Sequence, residues 1–195
     1  MNKEHYYQIF EKFRTDKGSL HGYDYMYDVL FTVIGEPQKL LEIGIKDGNS
    51  IAAWKHIFPN CDVTGVDIKD NGNIRAEAKQ NSLHFIDSTN PEIKNVVGSG
   101  YDVIIDDGSH MLQDQLQTFF NLEGCWNKAY VIEDVHGVYS DQYIREQLVS
   151  KGYTNIETYA SHLKNVTMLR TNGTVSIDFF GMVIFKERHH WSNTI

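Results

Sequence analysis

Residues 101–110 read YDVIIDDGSH. The first half is an unbroken apolar run, which suits a strand buried on both faces in the middle of a parallel sheet, because a half-exposed strand would alternate apolar with polar. The second half sets Asp106, Asp107, Gly108, Ser109 and His110 side by side, so a core strand ends in ionisable groups. Four further runs of strand length surround it: LLEIGI (40–45), DVTGVDI (62–68), LHFIDS (83–88) and AYVIEDV (129–135). SIAAWKHIF (50–58) and MLQDQLQTFFNL (111–122) lie between them with helical length and period. Strand and helix alternate, which predicts an α/β protein with a Rossmann-like, doubly wound, mostly parallel sheet covered on both faces.

The prolines agree with this division. Pro37 precedes the first strand, Pro59 separates the first helix from the second strand, and Pro91 suits the first turn of a helix. In the tail, TVSIDFF (174–180) and GMVIFKE (181–187) follow one another with no room for a helix, which predicts an antiparallel C-terminal edge strand. Residues 1–39 are rich in Tyr and Phe and read as one or two helices, broken at TDKGSLHG (15–22), that cover the sheet as part of the same domain as residues 40–195.

Composition narrows the partners. A formal charge of −8 with no basic cluster argues against nucleic acid and anionic membranes. No apolar run approaches the ~20 residues of a membrane span. Cys61 and Cys125 form neither a metal pair nor a disulfide framework, and the opening MNKEHYYQIF lacks the apolar core of a signal peptide, so a cytoplasmic location is expected. On that expectation the Asn165 and Asn172 matches to the glycosylation pattern are chance.

In a doubly wound sheet, ligands bind beyond the carboxyl ends of the strands, where the strand order reverses. The first loop there carries Glu42, Gly44, Lys46, Gly48, Asn49 and Ser50, and Asp67 and Ile68 close the next strand. Lys46 stands where a dinucleotide fingerprint wants its second glycine, and Glu42 would repel a pyrophosphate. A nucleoside without phosphates and with a cationic group, such as S-adenosylmethionine, meets these demands better. Asp67 is placed to accept hydrogen bonds from a ribose diol, with Asp87 at the end of the third strand. A tight strand-to-helix turn with no ligand is the alternative reading of the glycines alone.

The next two strands end in Asp106-Asp107-Gly108-Ser109-His110 and Glu133-Asp134-Val135-His136. Carboxylates crowded together push each other toward protonation unless a cation compensates. Three carboxylates plus waters suit Mg²⁺. Adjacent strand residues face opposite sides, so an acidic pair reaches one ion only where the chain is leaving the strand, and Gly108 allows this after Asp107. An imidazole titrates nearer neutrality than other side chains, which suits His110 as general base. The alternative is that Asp106 and Asp107 merely cap a helix starting near Ser109, which leaves the second acidic pair unexplained.

Together these residues resemble the class I S-adenosylmethionine-dependent methyltransferases. More narrowly, TDKGSLHGY, LLEIGIKDGNSIAAW, GVDI, IIDDGSH, YVIEDVH and SIDFFGMVIFK are similar to the Mg²⁺-dependent branch that holds macrolide-sugar and rhamnosyl O-methyltransferases and the proteins named cephalosporin hydroxylases. The likeness runs over residues 15–186. It implies Asp107, Glu133 and Asp134 as metal ligands, His110 as base, and Glu42, Gly44, Gly48, Asn49, Ser50, Asp67, Ile68 and Asp87 around the cofactor, with Asp106 on its methionine side. It implies cofactor or substrate contacts for Lys17, His21 and Tyr23, whose alternative role is to close the N-terminal helix over the sheet. His136 is a substrate contact or a satisfied loop histidine, and His189 and His190 read as surface residues. The acceptor implied is a hydroxyl on a sugar of a glycan, sugar nucleotide or glycosylated metabolite. The sequence is shorter than the natural-product enzymes, which raises the expectation that a partner subunit selects substrate; a homo-oligomer is also open. A metal-dependent hydroxylase or oxidoreductase of the same fold, and a non-catalytic binding subunit, are the competing readings. Lys46 speaks against a pyridine dinucleotide.

Overall fold

The computed structural model describes residues 3–161, 166–170, 173–177 and 179–186. Helices α1 (Lys3–Phe13) and α2 (Asp24–Ile34) lead into β1 (Lys39–Ile43), α3 (Asn49–Ile57), β2 (Asp62–Asp67), β3 (Ser82–Phe85), α4 (Ile93–Val97), β4 (Tyr101–Asp106), α5 (Leu112–Asn121), β5 (Trp126–His136) and α6 (Gly137–Ser150). Four strands follow: β6 (Ile156–Ala160), β7 (Val166–Arg170), β8 (Gly173–Ile177) and β9 (Phe179–Phe185). Of the nine strands among the described residues, seven form one sheet in the order β3-β2-β1-β4-β5-β9-β6, and β7 pairs with β8 in a separate antiparallel hairpin. The β1 to β5 pairings are parallel, and β9 runs antiparallel to both its neighbours.

The apolar runs are explained by burial on both faces. Leu40, Val63, Val103, Ile105 and Val131 pack toward Phe10, Tyr27 and Trp54 of α1, α2 and α3. Their strand neighbours Leu41, Val66, Ile104 and Ile132 pack toward Ile93, Phe119 and Leu148 of α4, α5 and α6. Burying an aliphatic or aromatic side chain in this way contributes roughly 1.5–3 kcal/mol. Tyr27, Phe31 and Trp54 make close edge-on ring contacts that seat α2 on α3, the Tyr27 and Trp54 centroids being 4.8 Å apart. Helices α1 and α2 therefore supply part of the core on one face.

The expected helices at 50–58 and 111–122 appear as α3 and α5, and the break at 15–22 separates α1 from α2. The antiparallel end of the sheet is present, with β9 as its antiparallel strand and β6 beyond it at the edge. The tail divides differently from the pattern read in the sequence. Residues 173–177 go to the hairpin, while Phe179 and Phe180 open β9, because β9 must run from Phe179 opposite His136 to Phe185 opposite Ala129 to cover the long β5. The strand β6 and helix α6 had no counterpart in the reading of the sequence. Asn165, Asn172, His189 and His190 lie outside the described residues. Among the described residues no helix is long and apolar enough to cross a membrane.

Candidate active site

The strand order reverses between β1 and β4, and the loops leaving these two strands touch. Gly44 has φ +83°, and a Cβ there would run into the Asp107 carbonyl and come within 2.9 Å of Gly108 Cα. The Asp107 N–H donates to the Ile43 carbonyl at 2.9 Å, and the Gly44 N–H to the Val66 carbonyl at 2.8 Å. Gly44 is thus required by the close approach of two backbones. A cavity of about 620 Å³ opens beside this crossing, with Gly44, Asp67, Ile68, Asp87, Asp107 and His110 in its wall.

Asn49 and Ser50 also line the cavity. Asp67 Oδ2 accepts the Lys46 N–H at 2.8 Å, and Asp87 Oδ1 accepts the Thr89 N–H and hydroxyl at 2.9 and 2.7 Å, so both acidic side chains are held in place at strand ends. Four of the residues expected around a cofactor stand behind the wall. Gly48, at φ +74°, packs where a Cβ would lie 2.5 Å from Ala78 Cβ. Glu42 and Lys17 are fully buried beneath the crossing. Asp106 faces the opposite side of the sheet from Asp107, accepting the Tyr130 hydroxyl at 3.3 Å and the Gly108 N–H at 3.2 Å. Burial pushes its carboxyl up to about 7.

On the other side of the crossing, one buried ammonium collects three carboxylates. Lys17 Nζ lies 2.6 Å from Asp107 Oδ2, 2.9 Å from Glu133 Oε2 and 3.2 Å from Glu42 Oε1, with none of its side chain exposed. The Tyr27 hydroxyl donates to Glu133 Oε1. Burial drives the Glu133 carboxyl well above the ordinary range against the pull of Lys17, with Asp107 and Asp134 adding to the rise. Burial also raises Glu42, Lys17 again opposing. For Lys17 itself burial favours the neutral amine, yet Asp107, Glu133 and Glu42 outweigh it and hold the ammonium charged.

A bulge puts Glu133 and Asp134 on the same side of β5. Ile132 pairs with Met182 and Val135 with Phe180, so three steps along β5 match two along β9, and Asp134 sits at φ +52° in the extra turn. The acidic pair therefore converges within a strand, by a bulge and not by the chain leaving the sheet as the strand geometry alone suggested. The Gln115 side-chain amide of α5 donates to the Glu133 carbonyl at 3.0 Å and fixes this bend. Asp134 Oδ1 receives the Tyr23 hydroxyl at 2.8 Å and His21 Nδ1 at 3.0 Å. Burial alone would raise its carboxyl, but His21, Tyr23 and the nearby His110 together hold it below the usual range.

His110 completes the arrangement at φ +58°, a strained position for a non-glycine residue. Its Nε2 is 3.8 Å from Asp134 Oδ2, and its Nδ1 is buried without a hydrogen-bond partner. One ligand atom each from Asp107, His110 and Asp134 lie within 4.8 Å of one another. The Asp107 and Asp134 carboxylates, backed by Glu133 and Glu42 against the single Lys17 ammonium, fit a hard divalent cation. His136 stands 6.2 Å from His110, ring to ring, and packs edge-on against Phe179 at 4.6 Å.

Tyr27 was not singled out from the sequence, although a signal exists. Tyr23, at the N-terminal cap of α2, and Tyr27 in its first turn are four residues apart, and both hydroxyls reach the β5 carboxylates. Arg14, Thr15 and Asp16 also line the cavity from the segment after α1, the last two opening the TDKGSLHGY stretch.

The strand order, the helices on both faces and the cavity at the reversal define the class I methyltransferase fold. A structure of the MycE methyltransferase from the mycinamycin biosynthetic pathway, in complex with Mg, SAH and mycinamycin VI, superposes with a TM-score of 0.67 at 20% identity, over 97% of this chain and 56% of that one. By sequence the chain is similar to several O-methyltransferases. It is 31% identical to demethylmacrocin O-methyltransferase of Streptomyces fradiae over 146 residues, 68% of this chain and 36% of the relative. It is 33% identical to L-olivosyl-oleandolide 3-O-methyltransferase of Streptomyces antibioticus over 143 residues, 66% and 36% of the two chains. The chain spans about a third of the length of these relatives. No family model matches the sequence.

Proposed function

We propose that this chain is an S-adenosylmethionine-dependent, Mg²⁺-dependent O-methyltransferase acting on a sugar hydroxyl of a glycosylated small molecule. The observation that carries this reading is the position of His110, in the wall of the cavity and beside Asp107 and Asp134 at once. The cavity supplies what a nucleoside needs: Asp67 as acceptor for a diol, Asp87 beside it, and apolar walls from Ile43, Val66 and Ile68. A sugar acceptor is supported by relatives whose names carry a glycosyl group, olivosyl in one and rhamnosyl in another, and the net charge of −8 disfavours a nucleic acid in that role.

In this reading Asp107 and Asp134 hold the ion, with Glu133 as the third carboxylate. When bound, Mg²⁺ would orient a hydroxyl and make it more acidic. The chain's part is to place the acceptor oxygen in line with the methyl carbon. As the new C–O bond forms, the C–S bond breaks, its electron pair stays on sulfur, and the hydroxyl proton passes to His110. Tyr23 and His21 fix Asp134 beside it. Exposed Met111, Val138 and Tyr139 follow His110 and Gly137 in the chain and offer an apolar surface for the acceptor.

Titration calorimetry with S-adenosylmethionine, with and without Mg²⁺, tests the cofactor. Mass spectrometry of glycosylated acceptors after incubation tests the transfer. Micromolar cofactor binding and a gain of one methyl group on a sugar are expected. Absence of cofactor binding would overturn the reading.

A further inference from the structure

Burying an ammonium costs several kcal/mol unless partners compensate, and a fully buried lysine needs an account. Lys17 comes from the turn between α1 and α2, outside the strand ends that carry the carboxylates. Its Nζ nonetheless lies within 3.2 Å of Glu42, Asp107 and Glu133, which come from three different strands or strand ends. Two of these are carboxylates the proposed reading gives to the divalent ion. The rest of the cluster is anchored without Lys17: Asp134 by Tyr23 and His21, and Glu133 also by Tyr27.

We propose that Lys17 is a resident counter-cation that keeps the carboxylates gathered when no metal is bound, and that it weakens the site's affinity for a divalent ion by occupying Asp107 and Glu133. This rests on the metal-dependent reading above. Lys17 is then a positioning residue: it touches neither cavity nor acceptor and acts by setting the charge and orientation of the ligands. The consequence is a protein that stays folded without metal and takes up the ion weakly, so that binding of the other ligands helps to retain it.

The test measures Mn²⁺ affinity by calorimetry and thermal midpoint with and without Mn²⁺, on wild-type protein, Lys17→Met and Lys17→Arg. For Lys17→Met the expected results are at least tenfold tighter Mn²⁺ binding and a midpoint that falls without the ion and recovers with it. Lys17→Arg keeps the charge and is expected to bind Mn²⁺ as weakly as wild type. If Lys17→Met is soluble only with Mn²⁺ present, chelator competition gives its affinity by the same criterion. Unchanged or weaker binding in Lys17→Met overturns the proposal, as does a variant that stays unfolded at saturating Mn²⁺. Calorimetry with S-adenosylmethionine on the same samples separates the two failures, because intact cofactor binding with unchanged metal affinity sinks the role of Lys17 and leaves the methyltransferase reading standing.

Discussion

Gly44→Ala isolates the contact on which the site's geometry rests. Gly44 and Gly35 both adopt positive φ, at +83° and +73°, but a Cβ on Gly35 meets nothing within 4 Å, whereas one on Gly44 collides with the Asp107 carbonyl. Alanine in a left-handed conformation costs about 1–2 kcal/mol; Gly35, at ψ −176°, lies in a region where a side chain costs about 1–3 kcal/mol, and this is all that Gly35→Ala should lose. At Gly44 the β1 and β4 loops must also part, an overpacking cost of about 1–3 kcal/mol. The total is about 2–5 kcal/mol. In a chain of this length each kcal/mol moves the thermal midpoint by roughly 2–4 °C, so Gly44→Ala should melt roughly 4–20 °C below wild type and Gly35→Ala roughly 2–12 °C below. Calorimetric melting of the three proteins side by side makes the comparison. Parting the loops also moves Asp107 away from Asp134 and His110 and opens the cavity wall, so Gly44→Ala should bind Mn²⁺ and S-adenosylmethionine less tightly while Gly35→Ala binds both normally. Equal melting of the two variants would refute the crossing of the loops as the reason for Gly44.

Four further outcomes are expected. His110→Ala should keep S-adenosylmethionine affinity within a few-fold and lose about 10²- to 10⁴-fold in turnover, the range for a general base, measured by methyl transfer to the acceptor found active with wild type; full activity would remove His110 from the chemistry. Asp67→Ala should weaken cofactor binding by about tenfold or more in calorimetry, since a charged hydrogen-bond acceptor is worth about 1.5–3 kcal/mol, with thermal stability little changed. Asp106 is raised from 3.8 to about 7 in the fold, so its charge opposes folding: the penalty is absent below the unfolded value, grows between pH 3.8 and 7 and is complete above. Asp106→Asn should therefore gain up to about 4 kcal/mol over wild type in urea unfolding at pH 8, and the gain should vanish at pH 4. Burial holds the Cys61 thiol up at about 12, so at pH 8 it should resist iodoacetamide in the native protein and react once the chain is unfolded, as followed by mass spectrometry.

The strands that build the centre of the sheet were legible because they are buried on both faces, which leaves an apolar run with no alternation to misread. Those at the antiparallel end were not. The strand β6 has five residues, four half-buried and Ala160 exposed, so it carries neither a continuous run nor a strict alternation. The boundary inside 174–180 depends on how far β9 must run to match β5, a property of the partner strand and not of the segment itself. A sequence records propensity and burial along one strand, while pairing length is decided by two.

The same distinction governs the site. The candidate residues could be read from the polar runs at strand ends, and Asp107, His110 and Asp134 do meet. How they meet could not. Alternation along β5 would send Glu133 and Asp134 to opposite faces, and only the bulge, with Asp134 at φ +52°, turns them to one side. The cation at the centre of the cluster came from elsewhere again, since Lys17 is separated from Glu133 by 116 positions and reaches it because α1 and α2 close over the crossing of β1 and β4. Charge at the rim of an α/β sheet can thus be inferred from strand ends alone, but its compensation depends on a segment outside the sheet. Gly44 ties the two together, because the carbonyl that a side chain there would strike belongs to Asp107, the residue that Lys17 holds most closely.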